Sequence, residues 1–373
     1  LNSITISFRI SLFCSNFVTQ MTNYPLLKSI SKMKKSLMTL GVLALFVLMA
    51  YGQEKKFALY SVAFYNMENL FDTIHDEGKN DYEYLPNGTN QWNTMKYKAK
   101  LKNMSEILSM LSTDKLPMGP AIIGVSEIEN YRVLEDILKQ PALADRGYQY
   151  VHYEGEDQRG VDCAFFYNPK LFELTNSKLV PYVYINDTVH KTRGFLIASG
   201  NIADEKMHFI VNHWPSRAAA SPARERAGEQ VRAIKDSLLR EDSAAKIVIM
   251  GDMNDDPMDK SMAVALGAKR KPVDAGPTDL YNPWWDTLKK GYGTLMYKGK
   301  WNLFDQIVFT GNLLGTDRST LKFYKHEIFR RDFMFQKEGK YKGYPKRTQA
   351  GGVWLNGYSD HLPTIIYLIK EVK

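Results

Sequence analysis

Two facing β-sheets, each covered on its outer side by helices, is the architecture predicted for this 373-residue chain. Three observations lead to it. Segments that read as strands outnumber helical ones by more than two to one, which favours facing sheets over a doubly wound parallel sheet. The helical segments are apolar along one side only, so each has one face to bury and one for water. No repeat, low-complexity tract or linker breaks residues 53–373, so one domain is expected there.

Met33-Lys34-Lys35 precedes an apolar run from Leu37 to Met49 and then Ala50-Tyr51-Gly52. A basic stretch, a short apolar stretch and a small-x-small site predict a signal peptide over 33–52, with Gln53 as the first mature residue. Residues 1–32 read as an upstream extension. The expected product is exported, periplasmic or extracellular, and the apolar run is short for a membrane span. No cysteine lies near the cleavage site, which argues against a lipoprotein.

Removing the leader changes the charge. Arg9, Lys28, Lys32, Lys34 and Lys35 are its charged residues, so the formal +8 falls to +3 for residues 53–373. A global polyanion-binding surface is therefore not indicated. What remains is local: residues 322–348 hold nine Lys or Arg against Glu327, Asp332 and Glu338. Cys163 alone remains in the mature chain, which excludes an internal disulfide, and its apolar neighbours make it a small buried side chain.

Residues 57–65, rich in aromatic and β-branched side chains, predict a first strand ending in Asn66-Met67-Glu68-Asn69. Pro86 and Gly88 mark a polar segment. Tyr97, Leu101, Met104, Leu108 and Leu111 then recur in steps of four and three, the buried stripe of a helix. Residues 121–125 predict a second buried strand running into Glu127 and Glu129, and 131–139 a helix. Strands over 148–153 and 161–167 flank a turn, and 195–201 with 207–212 form a hairpin that leads into His213-Trp214-Pro215-Ser216-Arg217. Ala227, Val231, Ile234 and Leu238 line one face of the next helix.

Ile247 to Met250 are four consecutive apolar residues, a strand buried on both faces. Gly251 ends it, and Asp252, Asn254, Asp255 and Asp256 crowd in before Pro257. By itself this reads as an Asx-rich turn capping a helix that starts near Met258. Residues 303–309 predict a strand with one internal acid, Asp305, and 321–329 another. Tyr358-Ser359-Asp360-His361 leads into a terminal strand over 363–369.

Polar chemistry thus recurs where strands end. Asn66-Met67-Glu68, Glu127, Asn212-His213, Gly251-Asp252-Met253-Asn254, Asp305-Gln306-Ile307 and Ser359-Asp360-His361 stand in the order of a known group, and across residues 57–369 the chain resembles the endonuclease/exonuclease/phosphatase superfamily. The resemblance implies a DNase I-like α/β fold, a four-layer α/β/β/α sandwich of two mixed, mainly antiparallel sheets. It also implies Mg²⁺-dependent hydrolysis of phosphoesters, with Mn²⁺ or Ca²⁺ as substitutes, at one edge of the paired sheets. Elementary electrostatics agrees: two carboxylates about 4 Å apart repel by roughly 4 kcal/mol at an effective dielectric near 20, so gathered acids call for a cation. Oxygen donors suit a hard ion, and no His/Cys set suggests zinc.

By that resemblance Glu127 is the main metal ligand, with Glu68 and Asp360 close by. His361 serves the scissile phosphate and Asp305 sets its tautomer. Asp252 orients or deprotonates the attacking water, while Asn254 and Asn66 hold phosphate oxygens and the metal's water shell. His213 gives a second donor, with Asp162 as a candidate to orient it and Arg217 as a phosphate-binding group beside it. Asp255 and Asp256 are left with turn and cap duties.

An exported monomeric endonuclease acting on nucleic acid is the leading expectation, supported by the basic 322–348 stretch and the aromatic Tyr281-Asn282-Pro283-Trp284-Trp285 loop, for which packing of Trp284 and Trp285 over a sheet edge is the equal alternative. A sphingomyelinase or phospholipase C-like phosphoesterase, with aromatics inserted at a membrane interface, is the alternative enzyme. A catalytically silent scaffold for binding is the alternative outside catalysis.

Overall fold

The computed structural model describes residues 55–372 except 186 and 188, together with Lys35, Met38 and Thr39. The expected upstream extension and nearly all of the expected signal peptide lie outside the described residues. Residues Phe57–Val372 form one compact unit.

Twelve strands of that unit build two six-stranded sheets. The first contains β1 (Lys56–Leu70), β2 (Ile122–Ile128), β3 (Gln149–His152), β4 (Asp162–Tyr167), β13 (Lys322–Ile328) and β16 (Thr364–Val372), in the spatial order β13-β16-β1-β2-β4-β3. The second contains β5 (Glu173–Val180), β6 (Phe195–Ile202), β7 (Glu205–His213), β8 (Lys246–Asp252), β9 (Leu280–Tyr281) and β12 (Asp305–Thr310), ordered β5-β6-β7-β8-β12-β9. Two short hairpins stand apart: β10 (Leu295–Tyr297) with β11 (Lys300–Asn302), and β14 (Gln349–Ala350) with β15 (Val353–Trp354).

Each sheet contains a parallel pair, β1/β2 in one and β7/β8 in the other. Parallel neighbours need a crossover, and here each crossover carries a helix. Helix α1 (Thr94–Met110) lies between β1 and β2, and α3 (Ser221–Glu241) between β7 and β8. Helix α2 (Tyr131–Leu138) follows β2, and α4 (Trp285–Lys289) is a short turn after β9. Both pairs emerge at the functional residues: Asn66 lies opposite Ser126, and His213 opposite Asp252.

Alternation along the strands explains the layers. In β8, Ile247 and Ile249 pack with Ala227 and Val231 of α3, whereas Val248 and Met250 face the other sheet. In β1, Val62 and Phe64 join that same inter-sheet core, while Ala63, Tyr65 and Met67 pack with Leu101, Met104 and Leu108 of α1. A strand covered on both faces reads as a continuous apolar run, which is why 247–250 lacks polar interruptions. The result is the expected α/β/β/α sandwich. The sheets approach closely at Gly124, where an added Cβ would stand 2.6 Å from Met250 Sδ and 3.2 Å from Val211 Cγ1.

Three local expectations need correcting. β1 runs on to Leu70 instead of stopping before Asn66. β5 was not foreseen, because its sequence Glu-Leu-Thr-Asn-Ser-Lys-Leu-Val is that of a solvated edge strand with little apolar signal. After Pro257 there is no ordinary helix but a short π turn, Ser261–Ala265. Asp255 there accepts from Ser261 Oγ and pairs with Arg224, while Asp256 accepts from the Leu303 amide, so both tie loops together instead of capping a helix.

Candidate active site

Strand register assembles half of the site. His213 and Asp252 are parallel partners, and Asp252 and Asp305 are antiparallel partners, so three functional side chains stand abreast on β7, β8 and β12. Residues directly opposed in a ladder share a face of the sheet. The first sheet contributes through irregularity. Register shifts fall between Asn66 and Leu70 in the β1/β2 ladder and between Ser126 and Ile128 in the β2/β4 ladder. Glu68 and Glu127 sit at those shifts with φ of 46° and 58°, and Asn254 has φ 51°. Left-handed backbone at a side-chain-bearing residue costs of order 1–3 kcal/mol and persists only where the surroundings enforce it. A bulge re-aims a side chain, and here it turns the two glutamates to the sheet ends.

The contacts are short and continuous. His361 Nδ1 lies 2.7 Å from Asp305 Oδ2, and Asp305 is 0% exposed. His361 Nε2 is 3.8 Å from Asp252 Oδ2. Asn66 Nδ2 donates to Asp252 Oδ2 and to Glu127 Oε1, both at 3.0 Å, and so bridges the two sheets. His213 Nε2 lies 3.6 Å from Glu127 Oε1 and 3.7 Å from Asp252 Oδ2. Asn254 donates its amide to the Trp214 carbonyl, while its backbone N–H reaches Asp252 Oδ1 at 2.9 Å. Ser359 ties the His361 segment to β1: its Oγ donates to the Asn66 carbonyl and accepts from the His361 N–H.

Electrostatics divides the two histidines. Burial alone would lower His361, but Asp305 and Asp252 outweigh it and hold the imidazole pKa well above 6.5, so the ring is cationic at neutral pH. His213 is buried too, with Arg193, Arg159 and His361 nearby, and is held well below 6.5 and neutral. Burial raises the Asp252 carboxyl from 3.8 to about 7, with His361 acting in the opposite direction.

Glu68 and Asp360 are brought to the same place, yet the protein itself supplies their countercharge. Arg347 Nε donates to Glu68 Oε1 at 2.7 Å, and its Nη2 lies 3.1 Å from Asp360 Oδ2. The Thr348 N–H donates to Glu68 Oε2, and buried Lys100 Nζ stands 3.8 Å from it. Burial lifts Glu68 from 4.5 to about 7 and drops Lys100 from 10.5 to about 8. Arg347 and Lys100 were both missed. Arg347 was hidden in the basic stretch, but Lys100 carried a signal: it lies next to Leu101 on the buried face of an amphipathic helix, where a lysine needs a partner.

Glu127, His213 and Asp252 place ligand atoms within 4.8 Å of one another, as do Asp252, Asp305 and His361. Two carboxylates with one imidazole suit a hard divalent cation. Among the described residues His213 Nδ1 and Asp305 Oδ1 are buried polar atoms without a partner, an arrangement with capacity left for an added group. The donor set therefore fits a metal: Glu127, Asp252 and His213 converge on one point, and the other expected ligands, Glu68 and Asp360, stand together on Arg347.

Two assignments do not match the geometry. Asp162 does not reach His213; its carboxylate accepts from the Gly155 N–H and faces His152 Nε2 at 3.2 Å, because the turn between β3 and β4 folds back over it. Arg217 is taken up by Asp255, Asp256 and Asp259 and stacks on Phe304, so its charge is neutralised by the loop that follows β8. In the aromatic loop the packing alternative holds at Trp284, which is 0% exposed with its indole N–H donating to the Ile307 carbonyl of β12. Half-buried Trp285 stacks with Arg270.

A family model described as the endonuclease/exonuclease/phosphatase family matches residues 61–370. No curated protein matches the chain. Among solved structures, an endonuclease/exonuclease/phosphatase family protein from Bacteroides thetaiotaomicron has a TM-score of 0.53 at 14% identity, covering 86% of this chain and 98% of that one. A mannosyl-6-phosphatase of the same species reaches 0.52 at 14% identity, covering 83% and 99%. The 2′,3′-cyclic phosphatase ANGEL2 reaches 0.52 at 12% identity, covering 86% and 99%. At such identities the likeness is one of fold.

Proposed function

Because the chain belongs to the endonuclease/exonuclease/phosphatase family, we propose that it is an exported, divalent-cation-dependent phosphodiesterase that hydrolyses nucleic acid by attack of water. The observation that carries this reading is the unbroken path Asp305–His361–Asp252–Asn66–Glu127 across the ends of both sheets. A phosphodiester needs a base for water, positive charge on its oxygens and support for the leaving oxygen, and that path, with His213 beside it, contains a group for each.

Asp252 orients the attacking water and accepts its proton. Cationic His361 faces the phosphate and neutralises charge that grows on it, with Asp305 fixing the ring through Nδ1. Neutral His213 supplies a further N–H, and Asn66 holds Asp252 and Glu127 at their mutual spacing. Glu127 and Asp252 would hold the cation, which would supply polarisation of the phosphoryl oxygens. Arg347 keeps Glu68 and Asp360 paired beside it.

Support for nucleic acid now comes from the basic stretch alone, since Arg347 reaches the site and Lys340 lines the cleft beside it. Burial of Trp284 removes the aromatic loop from that support and equally from a membrane-inserting lipid phosphodiesterase. Among the described residues no helix is long and apolar enough to cross a membrane. Export rests on the leader sequence, and a monomer remains the working assembly.

The test is incubation with plasmid DNA, RNA, sphingomyelin, an inositol phosphate and a chromogenic phosphodiester, in Mg²⁺ or EDTA. Nucleic-acid cleavage that stops on chelation is expected. Turnover confined to sphingomyelin or the inositol phosphate overturns the substrate, and no turnover at all overturns the enzyme.

A further inference from the structure

Beside the catalytic residues lies a cleft of about 1110 Å³, floored by the end of β1 and the 83–92 segment and walled on its other side by two segments outside the sandwich sheets. One is the β10/β11 hairpin, anchored at the centre: Leu295 forms a bridge with His361, and the Leu362 N–H donates to the Thr294 carbonyl. The other is the loop before β14. The two are fastened together where the Gly299 N–H donates to Tyr344 Oη at 2.6 Å. The hairpin presents Tyr297, 62% exposed, and the loop presents Tyr341, 51% exposed and edge-on to Tyr344. Each exposed ring carries its own cation, Lys298 Nζ at 5.3 Å from Tyr297 and Lys340 Nζ at 5.5 Å from Tyr341.

We propose that this cleft is a subsite for one unpaired nucleotide next to the scissile phosphate, its base stacking on Tyr297 and Tyr341. The inference rests on the phosphodiesterase reading and adds a substrate class to it: single-stranded or terminal nucleotides in preference to duplex. Exposed aromatic rings paired with lysines are the elements that recognise unstacked bases and the phosphates between them. Stacking needs a free base face, which a duplex does not offer. Gln336 and Gln349 on the same wall can meet the base edge, because an amide both donates and accepts. Charge sets the length: outside the catalytic cluster Lys298 and Lys340 are offset by Glu83 and Glu338, so the cleft offers no continuous basic track for a long polyanion.

Two substrates with the same leaving group isolate the subsite: thymidine 5′-(p-nitrophenyl phosphate) and methyl p-nitrophenyl phosphate. Steady-state kinetics would be measured for the wild-type protein, for Tyr297→Ala and Tyr341→Ala, and for the ring-preserving Tyr297→Phe and Tyr341→Phe. The wild type is expected to favour the nucleoside ester. Each alanine variant should raise KM for that ester roughly tenfold, with kcat and the methyl ester unaffected, while the phenylalanine variants match the wild type. Equal use of both esters, unchanged KM in the alanine variants, or parallel losses on both esters overturns the subsite and leaves the phosphodiesterase standing. Hydrolysis of neither ester, of DNA or of RNA overturns the underlying reading, and the subsite with it.

Discussion

Asp252 and Asp305 stand directly opposite one another across the β8/β12 ladder, two carboxylates side by side at the mouth of a buried sheet. The His361 ring lies against both, 2.7 Å from one and 3.8 Å from the other. An imidazolium in that position offsets both charges. This keeps buried His361 protonated, whereas burial and the nearby Arg193, Arg159 and cationic His361 keep His213 neutral.

Asp305→Asn keeps the shape but removes the charge behind His361. Turnover should fall by about 10²–10⁴-fold, the scale seen when a catalytic histidine loses its orienting carboxylate. NMR titration of His361 should move toward 6.5, a change that a purely structural role for Asp305 would not produce. An unmoved titration would refute the pairing.

Glu127→Gln should weaken Mg²⁺ or Mn²⁺ binding, read by calorimetry, by more than Glu68→Gln does. Glu127 keeps company with Asp252 and His213, whereas Glu68 is already neutralised by Arg347 and Lys100. Equal losses in the two variants would restore Glu68 as a principal ligand.

Glu68 also makes a prediction about pH. Its carboxyl is raised from 4.5 to about 7, so the folded state holds a proton that the unfolded chain releases. Each step up in pH through that window therefore costs the wild type stability that Glu68→Gln does not lose. In EDTA, the melting temperature of the variant minus that of the wild type should climb between about pH 4.5 and pH 7 and then level off. A flat difference would show that Glu68 titrates normally.

Lys100→Met should be destabilising. Lys100 is 0% exposed, donates to Thr348 Oγ1 and the Tyr358 carbonyl, and stands by Glu68. Removing one member of a buried ion pair costs up to about 3–5 kcal/mol, and the loss here should fall at or below the lower end because Arg347 stays on Glu68. Chemical denaturation would measure it. Combining Lys100→Met with Glu68→Gln should recover part of the loss, whereas additive losses would deny the coupling.

Much of this was legible because period and position are local properties. The apolar run 247–250, the stripe through Leu101 and Leu108, and the acids at strand exits are each visible within about ten residues. Contacts between distant segments were not. Nothing near Asp162 says that its hairpin folds back onto it, and nothing near Arg217 says that three carboxylates of the next loop will claim it. Arg347 needed the opposite inference, that one cation in a solvated run turns inward to Glu68. Trp284 looked like a surface aromatic because its neighbours are polar and Pro-rich, yet the Ile307 carbonyl gives its indole a buried partner.

The strand order of the first sheet also bears on when the enzyme can act. β16, the last strand in the chain, takes an interior place between β13 and β1, and His361 and Asp360 lie just before it. Asn66 and His361 come from opposite ends of the folded unit, and Ser359 joins them only after that strand has inserted. Contacts so far apart in sequence are slow to close. A nascent or nicked chain without β16 would thus carry a gap in the middle of its sheet and no working centre. Activity and completion of the first sheet become a single event, because the centre does not exist until β16 is in place.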